Sequence, residues 1–328
     1  CRGGVTWNTS NGSEFITRPY DDELEIYLGT IDGTELNAFY RLMNGLPTTG
    51  TVRFTSWYSD TENIDLLVFV VGNDNLYAWG GGVCVVGSVT GTTITKAGTT
   101  TFAQNRFFTS ANKTLVNVRT GTEYTYTGGE ATLTLTGIAD TTGIIAGDVL
   151  VQKVITTNNS PATDRNNHTV YTYQNQLCVA SDDDQQVYLS KNTSYTDFAY
   201  SAPRLPGEGG LLTLDDAAHA FGELEDKLIV FAGKSSFYQV DTQEITVGST
   251  LTETLNVKKY QTGVGQSAQS QEVVAQINNT IVYLSFEPAV REIMSPSELQ
   301  GGGKPRTLSN PIKPDMDAEI WTGACAKW

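Results

Sequence analysis

Leu177-Cys178-Val179-Ala180, Leu228-Ile229-Val230-Phe231 and Ile281-Val282-Tyr283-Leu284 are three short apolar runs whose starts lie about fifty residues apart, a spacing in the range of propeller blades. Each run follows an apolar stretch and a polar step. Val170-Tyr171-Thr172-Tyr173 leads into Gln174-Asn175-Gln176, residues 218–224 lead into Glu225-Asp226, and Val273-Val274-Ala275-Gln276-Ile277 leads into Asn278-Asn279. Each is followed by a short break and another strand-like phrase: Val187-Tyr188-Leu189-Ser190, then Phe237-Tyr238-Gln239-Val240, then Val290-Arg291-Glu292-Ile293. Runs of four to six β-branched and aromatic residues between Asn, Asp, Gly and Ser clusters are strand and hairpin signals, whereas a helix needs apolar spacing of three and four over ten or more positions. The pattern predicts an all-β chain of repeated antiparallel sheets. One small sheet cannot bury both faces alone, so neighbours must stack. Radial stacking, a β-propeller, is the expected architecture, and a β-sandwich with accidental similarity between strand pairs is the alternative.

The chain has 328 residues, 39% of them hydrophobic, which is enough for a substantial core. Its formal net charge of −15 argues against a general nucleic-acid-binding surface, which would be basic. The longest uninterrupted apolar run, residues 66–71, is far too short to span a bilayer, so no membrane partner is expected. Residues 321–328 read as the beginning of another strand, and the propeller is therefore expected to be incomplete, a fragment of a longer chain.

The expected organisation is residues 1–120 as irregular N-terminal β blades, 121–156 as a small β insert, and 157–328 as propeller blades truncated at the C-terminus. In the first part, Asn11-Gly12, Asp32-Gly33 and Asn44-Gly45 mark turns, and only residues 35–43 offer a turn or two of helix. Val52-Arg53-Phe54-Thr55-Ser56-Trp57 alternates, residues 66–71 form a buried strand, Gly72-Asn73-Asp74-Asn75 is a hairpin turn and Leu76-Tyr77-Ala78-Trp79 returns. Strands are expected within 107–118 and at 131–135 and 149–154, Gly128-Gly129 and Ala146-Gly147-Asp148 are the turns that suggest the insert of 121–156, and 158–167 reads as a linker.

The residues Gln174 to Leu177, Val187-Tyr188-Leu189-Ser190, Asp197-Phe198, Leu228 to Ser235, Tyr238, Ile281 to Ser285, Leu308-Ser309 and Ile312 resemble propeller-type structural proteins of tailed-bacteriophage virions, in particular tail-nozzle (tubular) and DNA-stabilisation proteins below the portal. The likeness covers about the last 160 residues, and its motifs are strand-and-turn phrases. It implies a non-enzymatic virion protein of the tail or neck through which DNA passes during genome ejection. It implies other tail or portal-proximal proteins as partners, a homo-oligomeric ring such as a hexamer, and transient passage of DNA without specific binding. It brings no catalytic residue, no cofactor and no metal. The alternative function is a secreted or surface propeller that binds glycans, for which Trp57, Trp79 and Tyr195 would gather in one concave pocket. A third, glycoside hydrolysis, needs two carboxylates about 5 to 10 Å apart across a cleft.

Chemistry-bearing motifs are few, and each has a plainer reading beside it. Gly233-Lys234-Ser235 mimics the end of a phosphate loop, but Leu228 stands where its first Gly belongs and a strand follows where a helix should, so a hairpin turn is expected. Residues 190–198 faintly resemble the Asp-box turn of sialidases yet lack its Asp and Gly. Asp182-Asp183-Asp184 supplies too few oxygen ligands for Ca²⁺ and reads as a solvated tip. His168 and His219 have no Ser or Cys at motif spacing. Of four cysteines, Cys84 and Cys178 sit in apolar runs and read as small buried hydrophobes, and Cys1 and Cys325 complete no metal pattern. Sequons at Asn8, Asn11, Asn112, Asn158, Asn167, Asn192 and Asn278 are what a chain rich in Asn, Thr and Ser produces by chance. The acidic turns Asp182-Asp183-Asp184, Asp215-Asp216 and Glu223, Glu225, Asp226 are candidates for keeping a DNA path non-adhesive, against the simpler role of solvated charges serving solubility.

Overall fold

The computed structural model describes residues 3–71, 75–157, 169–180, 185–262, 265–287, 289–293 and 305–308, and among them it is all-β, with one 3-10 turn at Gln271–Val273. The chain divides into two compact units, Arg2–Asn158 and Asn159–Trp328.

The first unit opens with an antiparallel meander of β1 (Val5–Asn8), β2 (Glu14–Tyr20), β3 (Glu23–Ile31) and β4 (Thr34–Met43). Residues 35–43, the one expected helical segment, are strand. The reason lies in the preceding turn, where Asp32 (φ 50°) and Gly33 (φ 79°) both take left-handed backbone, the geometry that folds one strand directly onto the next. Once folded back, Phe39 pairs with Tyr27 and Arg41 with Glu25, and the two rings meet edge to face at 5.4 Å. Cross-strand pairing of this kind overrides a weak local helix preference.

A second meander follows, β5 (Val52–Ser59), β6 (Ile64–Val71) and β7 (Leu76–Trp79). The chain then leaves for β8 (Val83–Thr90), β9 (Thr93–Lys96), β10 (Thr114–Asn117), β11 (Glu123–Thr125), β12 (Thr134–Leu135) and β13 (Val149–Gln152). These six form one sheet in the order β11-β10-β13-β8-β9-β12. It returns as β14 (Ile155–Thr157), which pairs with β7 from Ile155 opposite Ala78 to Thr157 opposite Leu76 and completes the fourth strand of the earlier sheet. The expected insert of 121–156 is only part of this excursion. Position 121 falls between β10 and β11, which pair with each other, and residues 155–157 belong to the sheet of β5, β6 and β7. The strands expected in 107–118 and 131–135 are short because turns take their first halves: Phe107 donates its N–H to the Phe102 carbonyl, and Thr132 to that of Gly129. The expected turn residues 72–74 and linker residues 158–167 lie outside the described residues.

Two cores hold this unit. Leu24, Ile26 and Leu28 of β3 pack with Phe69 and Val71 of β6 and Tyr77 and Trp79 of β7. There Trp7, Phe15 and Trp79 form an aromatic group with centroids 5.1 to 5.9 Å apart, and the Trp79 indole N–H donates to the Gln152 carbonyl at 3.0 Å. Cys84, Ile94, Phe102, Phe107, Leu115, Tyr126 and Leu150 fill the other core, within the six-stranded sheet.

Among its described residues the second unit is three four-stranded meanders in succession. They are β15 (Thr169–Tyr173), β16 (Gln176–Ala180), β17 (Gln186–Leu189) and β18 (Gly210–Thr213); β19 (Ala218–Leu224), β20 (Lys227–Ala232), β21 (Ser236–Val247) and β22 (Thr250–Gln261); and β23 (Val274–Ile277), β24 (Thr280–Leu284), β25 (Val290–Ile293) and β26 (Arg306–Thr307). The three quoted apolar runs fall in the second strand of each sheet, where Leu177, Val179, Leu228, Val230, Ile281 and Tyr283 are at most 2% exposed. The polar steps are the first hairpin tips: Gln174-Asn175 and Glu225-Asp226 take positive φ at both residues, and Asn278 has φ 53°.

Along β20 the middle sheet is buried on both faces, whereas β21 and β22 run on into an exposed hairpin where Val247 is 62% exposed. Leu228, Val230 and Ala232 share a core with Cys178, Ala180, Val187 and Leu189 of the preceding sheet. Ile229 and Phe231 point the other way, into a core with Ile281, Tyr283 and Ile293 of the following sheet. Each such Leu or Ile contributes roughly 1.5 to 3 kcal/mol on burial. β19 also lies alongside both β15 and β23, so the first strands of successive sheets run together.

Candidate functional site

The first hairpins of the second unit gather the polar residues that stand out in this half of the chain. Glu223 on β19, the tip Glu225-Asp226, the tip Asn278-Asn279, Gln276 and Tyr171 line a cavity of about 580 Å³. The open edge of β19 would leave backbone groups without ladder partners, and side chains of the next sheet supply them. Gln271 accepts from the Phe221 N–H at 2.6 Å and donates to the Phe221 carbonyl at 3.1 Å. The Gln276 and Asn279 amide oxygens accept from the N–H groups of Glu223 (3.2 Å) and Glu225 (3.3 Å). On the other side, the Tyr173 hydroxyl donates to the Asp226 carbonyl at 2.6 Å. Hydrogen bonds from side chains thus link successive sheets at this end, where an edge would otherwise invite foreign strands. Burial, and secondarily the negative charge of Asp226, raise the Glu223 carboxyl above its ordinary range.

The other acidic turns fare differently. Asp215 receives the Lys259 ammonium at 2.7 Å and Asp216 lies 3.9 Å from it, so part of this pair's charge is matched locally. Asp182-Asp183-Asp184 lie outside the described residues, as do His168, Cys1 and Cys325. Gly233-Lys234-Ser235 is the turn between β20 and β21, with strand on both sides. Within 190–198, Lys191 pairs with Asp197 at 2.6 Å and the two backbones also bond. Cys84 and Cys178 are buried free thiols, and burial raises both far above the thiol range, which suppresses the thiolate that nucleophilic chemistry needs. His219 packs edge to face on Phe286 at 5.7 Å. Trp57 and Trp79 are interior side chains of the first unit, and Tyr195, half-buried, belongs to the second. Among the described residues, no three His, Cys, Asp or Glu side chains group to hold a metal ion. No described helix is long and apolar enough to cross a membrane.

Neither the protein-family models nor the curated proteins give a match to this chain.

Buried charges elsewhere join segments distant in sequence. Arg204, in the loop after β17, pairs with Glu253 of β22 at 2.9 Å and donates to the Glu208 and Gly209 carbonyls. In the first unit Asp32 is buried against the Lys96 ammonium and accepts from Asn105 at 3.0 Å and from the Val85 N–H at 3.1 Å. Beside it opens a second cavity, about 520 Å³ in volume. Reading the sequence missed it, because Asp32-Gly33 registers only as a turn and residues 98–106 carry no periodic signal.

Proposed function

We propose that this chain is a non-enzymatic structural module, a β-propeller-type stack of sheets that serves in the tail or neck of a tailed-bacteriophage virion, near the path of the ejected DNA. The observation that carries this reading is the middle sheet of the second unit, buried on both faces along β20, with its first strand lying beside the first strands of both neighbours. Radial stacking about an axis has this form, since the innermost strands converge and each blade is covered on two sides. The phrases that resemble virion proteins lie largely in these sheets, at Gln176-Leu177, Leu228 to Phe231 and Ile281 to Leu284. The amide side chains that cover the edge of β19 favour a rigid body over a deformable one, as a wall or adaptor requires. Its partners would be further tail or portal-proximal proteins and copies of itself in a ring.

The test is cryo-electron microscopy of the isolated protein and of the phage particle that encodes it. The expected result is sheets fanning around a common axis, with copies of the chain in a symmetric ring below the portal. Two sheets packed face to face with wet outer faces would replace the propeller by a sandwich. A particle lacking the protein would end the virion assignment.

A further inference from the structure

Two Asn-Gly pairs lie exposed in the first unit, Asn11-Gly12 between β1 and β2 and Asn44-Gly45 between β4 and β5. Such a pair carries a latent reaction. The backbone nitrogen of the glycine can attack the amide carbon of the asparagine side chain, and glycine hinders the approach least because it has no Cβ. The surroundings decide whether the attack is open. At Asn11 the reacting parts are held: the side-chain oxygen accepts from the Thr9 hydroxyl at 2.6 Å and from the Ser13 N–H at 3.2 Å, and the Gly12 N–H donates to the Thr9 carbonyl at 2.9 Å. The Asn44 side chain and the Gly45 N–H form no hydrogen bond with a described residue. Where a Gly45 Cβ would stand there is no atom within 4 Å, so nothing crowds the nitrogen from that side.

We propose that Asn44 is a site of spontaneous deamidation in the folded protein, with water as the co-reactant, and that Asn11 is protected from it. The Gly45 nitrogen bonds to the Asn44 Cγ, the Cγ–Nδ2 bond breaks, and ammonia leaves with the proton that the Gly45 nitrogen gives up. The resulting five-membered imide adds water at one of its two carbonyls and opens to aspartate or to isoaspartate. Either product adds a negative charge, and isoaspartate also lengthens the backbone by one carbon. The extra length falls where the chain is pinned, because Leu46 is 2% exposed in the first core and its N–H donates to the Asp22 carbonyl at 2.8 Å. The proposal is independent of the virion reading, which rests on the second unit.

Peptide mapping by mass spectrometry tests it, on the whole chain kept in mildly alkaline buffer, with circular dichroism confirming the fold throughout and chromatography separating the aspartyl from the isoaspartyl peptides. Asn44 is expected to convert about tenfold faster than Asn11 or more, since the Asn11 turn must first give up three hydrogen bonds. In urea, where the turns are lost, the two sites should convert at similar rates. Asn44→Gln, whose longer side chain would have to close a six-membered ring, should stay unconverted over the same period. The melting temperature of the wild type should fall as isoaspartate accumulates at position 44, and that of Asn44→Gln should hold. Equal rates at the two sites in the folded protein, faster conversion at Asn11, or an Asn44 that converts in urea and stays intact in the folded chain would each overturn the proposal.

Discussion

Leu228 and Ile229 are neighbours on β20, both 0% exposed, and they enter different cores. If the middle sheet is covered on both sides, Leu228→Ala and Ile229→Ala should be damaging to a similar degree. Truncating a fully buried Leu or Ile to Ala costs about 2 to 5 kcal/mol, from the lost transfer energy plus the cavity left behind. For a unit of this size, 1 kcal/mol moves the melting temperature by about 2 to 4 °C, so each variant should melt roughly 4 to 20 °C earlier. The assay is far-UV circular dichroism during thermal and urea unfolding, with limited proteolysis to report which unit opens first, since two compact units need not unfold together. In a sheet with one wet face, one of the two residues would point to solvent and its truncation would stay within about 0.5 kcal/mol of the wild type. That asymmetry would refute the reasoning, and with it the stacked arrangement on which the propeller proposal depends.

Glu62, between β5 and β6, accepts from the N–H groups of Thr109, Ser110 and Ala111 and from the Ser110 hydroxyl, clasping the loop before β10. Burial raises its pKa, but the hydrogen bonds together outweigh that and leave it lowered. Its stabilisation is therefore present at neutral pH and lost as pH falls through the folded-state value, so the melting difference between Glu62→Gln and wild type should shrink from pH 7 to pH 3. Glu223 has the opposite sign: its raised pKa means that stability is fullest at low pH and lost as pH rises through the folded value. Glu223→Gln should melt higher than wild type at pH 7 and match it near pH 4 by calorimetry, and an unchanged pH 7 melt would count against this assignment. Glu253→Ala should destabilise by about 3 to 5 kcal/mol in urea titration, because the buried Arg204 guanidinium loses its counter-charge. Gly81→Ala should destabilise by about 1 kcal/mol or more in the same assay, through its left-handed backbone and the contact with Arg106.

What the sequence determined by itself is the local layer of this protein. Gln174-Asn175, Glu225-Asp226 and Asn278-Asn279 were legible as punctuation, and Leu177, Leu228 and Ile281 as core strands, because turn conformation and strand character depend on residues within a few positions of one another. Tertiary structure decided whatever depended on partners far along the chain. Residues 34–43 became strand because β3 was there to receive them, and β14 joined β7 across the whole six-stranded sheet. The insert ran beyond its expected limits for the same reason, since β8 and β13 meet only in the folded sheet. The acidic cleft needed Gln276 and Asn279 from the following repeat, and the buried Asp32 carboxylate needed Lys96 and Asn105 drawn to it from distant segments. No local pattern encodes such meetings, because they arise when sheets stack and their buried polar groups must find partners.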